Sequence, residues 1–150
     1  YMPAVAPAGA PRPFYGTNPM AFGWPRPDGG TMIFDQASAA MARGELMIAA
    51  RDGHAVPPGA GVDADGRPTT DPAAILKGAQ LPFGGYKGFG LALALQVLGV
   101  FAGSGHDPGK AYGYLVMAMQ PDLMVPLAEF RRDASAVLAW AEATMSASRP

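Results

Sequence analysis

Gly84-Gly-Tyr-Lys-Gly-Phe-Gly90, followed at once by the apolar run 91–101, decides the fold class. Glycines let backbone N–H groups approach an anion at the start of a helix, and Lys87 adds a point charge, so the stretch has the chemistry of a phosphate cradle. It serves equally as a tight structural turn, and the residues alone leave both readings open. What the stretch excludes is sharper. No Gly-Lys-Ser/Thr occurs, so it is not a P-loop. After Gly88 and Gly90, Leu93 stands where the dinucleotide fingerprint G-x-G-x-x-G needs its third glycine, so the Rossmann motif is absent too.

Outward from this stretch the chain is punctuated by its 20 glycines and 16 prolines, which concentrate at 7–13, 25–30, 57–66 and 103–109 and separate several short elements. The apolar runs 20–24 and 31–34 flank Pro25-Arg-Pro-Asp-Gly-Gly30 and predict a hairpin. Ser38 is a plausible N-cap for a helix over 39–51, with Gly44 as an interior irregularity. Asp71-Pro72 predicts a short helix ending at Gly78, because proline suits the first helical position. The loop 81–88 feeds a helix over 91–101; residues 112–119 are compatible with a strand. Apolar residues at Leu127, Phe130, Ala134, Val137, Leu138 and Ala141 predict an amphipathic C-terminal helix over 123–146. Strands and helices are mixed without a regular βαβ spacing, which predicts an α+β or irregular α/β layer fold and not a doubly wound sheet.

Composition narrows the partners. The chain has 150 residues, about one domain's worth, and is 49% hydrophobic, enough to bury a core. Its 11 basic and 12 acidic residues give a net charge of −1, so no basic field exists to hold nucleic acid. With no cysteine, disulfides, zinc thiolates and cysteine nucleophiles are excluded, in keeping with a cytoplasmic setting. The most apolar run, 89–104, is interrupted by Gln96 and falls short of the ~20 residues of a membrane span, so a buried helix and a soluble protein are expected. The start, at Tyr1 in an apolar, proline-rich stretch, reads as interior sequence and not as a signal peptide.

Individual candidates each compete with a plainer reading. Asp63-Ala-Asp65-Gly66 resembles the opening of a calcium loop, but Pro68 and Thr69 occupy later ligand positions and Ala74 stands where the closing glutamate belongs, so a polar turn is expected and no metal site. His54 and His106 lie in Gly/Pro-rich loops without a nucleophile or ligand spacing nearby and read as solvated. Asp35 ends an apolar strand, where a carboxylate either caps a helix or meets a ligand. Arg43, in a helix of small apolar residues, either clamps a carboxylate or snorkels to solvent.

Four ordered segments turn these separate signals into a resemblance: Tyr15-Gly-Thr-Asn-Pro-Met-Ala-Phe22, Phe34-Asp-Gln-Ala-Ser-Ala-Ala-Met-Ala-Arg-Gly-Glu45, Asp63-Ala-Asp-Gly-Arg-Pro-Thr-Thr-Asp-Pro72 and Leu81-Pro-Phe-Gly-Gly-Tyr-Lys-Gly88. In order and spacing the chain resembles the malate/L-lactate dehydrogenase family of the non-Rossmann type, strongly to about residue 98 and loosely from Tyr112 onward. The wording of the first two segments looks most like the family's Δ1-piperideine-2-carboxylate/Δ1-pyrroline-2-carboxylate reductases, with malate, lactate, ureidoglycolate and diketogulonate enzymes as alternatives.

The resemblance implies an α/β fold with a mixed, mostly antiparallel sheet and surrounding helices. It places a cofactor-binding domain over about 1–120 and a C-terminal helix over about 123–148, in a homodimer. It implies hydride transfer from NADPH or NADH to a C=N or C=O carbon beside a carboxylate in a small 2-imino or 2-keto acid. Asp35, Gln36, Ala37, Tyr86 and Lys87 would line the cofactor; Thr17, Arg43 and Gly44 would contact substrate. The family's catalytic Ser-His pair and a substrate-carboxylate arginine have no counterpart here and belong to a segment before Tyr1, so no catalytic residue is assigned and this stretch by itself is expected to be inactive. The family's closing Gly-rich segment also has no counterpart after Pro150, and the loop over 103–112 looks shorter than the family's. A non-catalytic dimerisation remnant of the fold is the rival expectation.

Overall fold

The computed structural model describes residues 3–26, 28–103 and 113–147. They fall into two compact units, Tyr1–Met20 with Gln36–Leu115, and Ala21–Asp35 with Val116–Pro150.

The first unit is organised around a three-stranded antiparallel sheet of order β4-β3-β5, formed by β3 (Gly61–Val62), β4 (Pro68–Thr69) and β5 (Ala79–Gln80). Gly61 lies opposite both Thr69 and Gln80. The β3–β4 turn is the Asp63-Ala-Asp-Gly segment: Asp63 Oδ1 accepts from the backbone N–H of Asp65 and of Arg67, both at 2.9 Å, and Gly66 takes φ 81°. The carboxylate is thus spent on its own turn, the polar turn expected of it.

The chain start is threaded into this sheet. Val5 bridges Tyr15 on one side and Gln80 on the other, and Ala6 N–H donates to the Gln80 carbonyl at 2.9 Å. Val5 is fully buried. It packs with Ala4, Tyr15, Ala39 and Ala92, and Phe89 covers the group. A second cluster joins Leu46, Val56, Ala60 and Ile75; a third joins Ala6, Val62 and Ala79. Most of these side chains are small, so the backbones approach closely. A Cβ at Gly61 would sit 2.4 Å from Ile75 Cγ2 and 2.7 Å from the Ala79 carbonyl oxygen.

Helix α1 spans Arg43–Asp52, α2 Pro72–Lys77 and α3 Tyr86–Phe101. Helix α2 starts as expected: Asp71 accepts from Ala73 N–H at 2.9 Å and Pro72 opens the helix. Helix α1 begins four residues later than its sequence suggests, at Arg43 and not Ala39. Ser38 does not cap it. Ala39 instead bridges Pro82 and Ala40 N–H donates to the Leu81 carbonyl, so pairing between distant segments overrides the local helical preference of this alanine-rich run. Gly44 therefore stands at the second helical position and interrupts nothing. Helix α3 begins five residues early, because Tyr86-Lys-Gly-Phe-Gly90 is already helical. Tyr86 and Lys87, expected in the loop, form its first turn. Its outer face leaves Val97, Val100 and Phe101 half or more exposed while Gly88 and Ala92 are buried, so the helix expected to be buried is so on one face only.

In the second unit, β1 (Met20–Pro25) and β2 (Thr31–Gln36) form the expected two-stranded sheet. Phe22 stacks on Trp24 at 5.7 Å between ring centroids, and Phe34 lies 6.5 Å from Phe22. A single 3-10 turn, Pro121–Leu123, precedes α4 (Leu127–Ala147), so the C-terminal helix starts four residues later than expected, just after Pro126. Residues 113–119, read as β-compatible, form no strand; Tyr112 and His106 lie outside the described residues. Among those residues no helix is long and apolar enough to cross a membrane.

Tyr15 links the first unit's core to pH. It is fully buried, donates from its hydroxyl to the Ala6 carbonyl at 3.2 Å and stacks on Phe89 at 6.3 Å. Burial pushes its phenol above the usual 10.0, since the phenolate would lose its hydration. The folded state therefore holds this proton more tightly than the unfolded chain. The contribution is fully present below pH 10 and is lost as pH rises through the folded value. Tyr15→Phe should lose about 1 kcal/mol at neutral pH, for the hydrogen bond. It should also flatten the fall in stability above pH 10, as read in denaturant titrations across that range.

Candidate functional site

Three loops of the first unit converge through one residue, Ser38. Its backbone N–H and its Oγ both donate to the Thr17 carbonyl, at 2.8 and 2.9 Å, and its own carbonyl accepts from Phe83 N–H at 3.0 Å. Thr17, the segment Gln36-Ala37-Ser38 and the entrance of the glycine turn are thereby held side by side. Gln80 continues the seam: buried to 1% exposure, it donates from Nε2 to the Met41 carbonyl at 2.7 Å, just ahead of Arg43 and Gly44. Its Oε1 is buried without a hydrogen-bond partner.

The glycine turn is built for close approach. Gly84 and Gly85 take φ 56° and 61°, which side chains other than glycine's rarely tolerate. Gly88 is buried, and its N–H donates to the Phe83 carbonyl at 3.0 Å. A Cβ there would come within 2.1 Å of that same oxygen. The N–H groups of Gly84, Gly85 and Tyr86 donate to no backbone carbonyl among the described residues, so the positive end of the 16-residue helix α3 is free. The Tyr86 ring is 73% exposed and Lys87 is exposed without an ion pair among the described residues. Open amides, a cation and a bare aromatic ring form a surface suited to a phosphate-bearing, planar ligand.

The remaining candidates are placed as follows. Thr17, Gln36 and Ala37 are half-buried beside the Ser38 clamp. Asp35 is exposed on β2 and belongs to the second unit. Its carboxylate accepts no hydrogen bond and caps no helix among the described residues, which removes the plainer reading of that carboxylate. Arg43, the first residue of α1, is half-buried and has no ion pair or hydrogen-bond partner among the described residues. Gly44 beside it faces open space, with nothing within 4 Å of an added Cβ. His54 is exposed, at a shallow cleft between the end of α1 and the start of α2. No group of three metal-ligating side chains occurs among the described residues.

The sequence reading missed Ser38, Gln80 and Asn18 as site-builders. Ser38 sits where a helix cap would, and only the tertiary pairing diverts it. Gln80 gives no signal in a single sequence. Asn18 gives one, as a turn-type residue wedged before Pro19.

A glycine turn without a Rossmann fingerprint, leading into a helix and clamped against antiparallel pairing, sets this scaffold apart from the doubly wound dinucleotide-binding folds. Residues 1–149 match the malate/L-lactate dehydrogenase family, and the chain belongs to it. It is 55% identical over 94 residues to a Δ1-pyrroline-2-carboxylate/Δ1-piperideine-2-carboxylate reductase of Pseudomonas aeruginosa, covering 63% of this chain and 28% of that protein. It is 43% identical over 129 residues to a Δ1-pyrroline-2-carboxylate reductase of Pseudomonas fluorescens, covering 78% and 38%. Among solved structures, Δ1-piperideine-2-carboxylate reductase of Pseudomonas syringae superposes with a TM-score of 0.78 at 38% identity, over 95% of this chain and 47% of that one. Sulfolactate dehydrogenase of Methanocaldococcus jannaschii superposes at 0.72 with 35% identity, over 91% and 42%. The chain thus spans less than half the length of the relatives it matches.

The two helical glycines of the turn give a paired test. Gly88→Ala should destabilise by about 2 kcal/mol, since the Phe83 carbonyl must move. Gly90→Ala, with nothing within 4 Å of the new Cβ, should stabilise by about 0.5–1 kcal/mol. Equal effects in urea denaturation would contradict the packing described for Gly88.

Proposed function

We propose that this chain is the cofactor-binding part of an NAD(P)H-dependent reductase of cyclic imino acids, acting on Δ1-pyrroline-2-carboxylate or Δ1-piperideine-2-carboxylate in a cytoplasmic homodimer. The observation that carries the reading is that relatives named for this reaction are 43–55% identical over 94–129 residues. The clamped glycine turn supplies the physical side.

The residues fit a nicotinamide dinucleotide. The free amides of Gly84, Gly85 and Tyr86, with Lys87, suit its phosphates. The exposed Tyr86 ring offers a stacking face, and Gln36 and Ala37, beside the Ser38 clamp, add a polar and a small side chain, with the Asp35 carboxylate just before them in sequence. When bound, the reduced nicotinamide supplies a hydride to the imine carbon, while the imine nitrogen takes up a proton. This chain's own part is to hold and orient. Arg43 is a half-buried guanidinium left without an anion, and a substrate carboxylate answers that charge with two parallel hydrogen bonds. Gly44 leaves room for the ring, and Thr17 borders the same seam. The proton is assigned to no residue of this chain.

A second reading, reduction of a 2-keto acid, is favoured by the likeness to sulfolactate dehydrogenase. Both substrates place a carboxylate beside the carbon that receives hydride, so Arg43 serves either.

Following NADPH consumption by the full-length protein with each imino acid and with a panel of 2-keto acids decides between them. Turnover of keto acids alone would replace the first reading with the second. In the active enzyme, Arg43→Lys should raise KM for the carboxylate substrate about ten-fold or more, because lysine cannot form the forked pair. Cofactor affinity should barely change. An unaltered KM would return Arg43 to an ordinary half-exposed cation.

A further inference from the structure

Asn18 is the one residue other than glycine with a positive φ, 41°, among the described residues. Such a conformation is uncommon away from glycine, asparagine being among the types that tolerate it, and Pro19 restricts it further. Both amide hydrogens of the side chain are engaged: Nδ2 donates to the Ala92 carbonyl at 2.9 Å and to Gln96 Oε1 at 3.2 Å, both on α3 and 74 and 78 residues away in sequence. Gln96 is the polar residue that breaks the apolar run of that helix. Its partner explains why it is there.

We propose that Asn18, with Gln96, is a positioning residue for the reduction: it fixes the Thr17 loop to α3, so that the substrate-side Thr17 and the cofactor-side Tyr86 and Lys87 move as one piece. The inference rests on the proposed function for its substrate. Thr17 is held through its carbonyl by Ser38 on one side. On the other side the side-chain anchor of the loop among the described residues is Asn18, held in a backbone conformation that these contacts keep in place. Without the two hydrogen bonds, residue 18 is free to relax toward negative φ. That turns the Thr17–Asn18 peptide and re-aims Thr17 while leaving the glycine turn where it was. Substrate fit should therefore suffer before cofactor binding does, since small misplacements at a reacting centre are costly.

The test uses the full-length enzyme. Asn18→Gly accepts φ 41° without strain and deletes both hydrogen bonds, so it isolates the clamp from backbone preference. It should lower kcat/KM about ten-fold or more, mainly through KM for the imino acid, with the Kd for NADPH changed less than about two-fold. Gln96→Ala keeps the bond to Ala92 and should move KM in the same direction by a smaller factor. Asn18→Asp also tolerates φ 41° but sets an acceptor-only carboxylate against the Ala92 carbonyl, so it should lose at least as much as Asn18→Gly. An Asn18→Gly enzyme with lowered Tm but unchanged KM would overturn the proposal, as would equal losses in substrate and cofactor affinity. The wild type separates this from the substrate assignment. If it reduces only keto acids, the imino acid reading fails and the same split is measured on the keto acid. If it reduces neither, the clamp is read by hydrogen exchange. Exchange of the Ser38 amide, which donates to Thr17, about ten-fold faster in Asn18→Gly upholds it, and unchanged exchange overturns it.

Discussion

The Thr17 carbonyl accepts two hydrogen bonds from a single residue, the backbone and the side chain of Ser38. A carbonyl oxygen has two lone pairs, and here both are filled by one partner, which fixes the partner's rotamer and backbone together. Ser38 in turn presents its carbonyl to Phe83, at the door of the glycine turn. Three segments distant in sequence are therefore set against one another by one small polar side chain. The candidate binding surface is a consequence of that arrangement more than of any local motif.

The clamp works because the surrounding core is thin. Alanine and valine dominate the buried clusters, and the few larger side chains divide between two of them, Tyr15 in one and Leu46 with Ile75 in another. Backbones that approach this closely leave no space for a Cβ at Gly61, Gly78 or Gly88. Rigidity here comes from main-chain contact and not from interdigitated bulky side chains. The polar atoms drawn into such a core must then find partners, and nearly all of them do. Gln80 Oε1 is the exception, buried and unanswered among the described residues.

Elements with strong local chemistry were legible in the sequence. The hairpin around Pro25 to Gly30, the Asp71-Pro72 helix start and the Asp63 turn each depend on residues within a few positions of one another, and each was found where expected. Reading failed where distant pairing overruled local preference. Ala39 and Ala40 are good helix formers drawn into a ladder with Leu81 and Pro82, which delays α1 and strips Ser38 of its capping role. Gly88 and Gly90 argued for loop, yet both are helical, and glycine is required at the first of them because the Phe83 carbonyl leaves no room for a side chain. The candidate site divides along the same line. Its glycines and Lys87 announced themselves, while Asn18, Ser38 and Gln80 have meaning only through partners 21 to 78 residues away.

The pairing of Val5 with Gln80, and of Asn18 with Ala92 and Gln96, closes the first unit late. Loops of this length must be closed before any of these contacts can repay their entropy, which places the unit among folds of high contact order that form slowly. On a ribosome Val5, Tyr15 and Leu46 would emerge before their partners Gln80, Phe89 and Ile75, and the unit would consolidate only once α3 had cleared the exit tunnel. During that interval the nascent chain would depend on chaperone cover, or on rapid elongation, to keep its apolar segments apart.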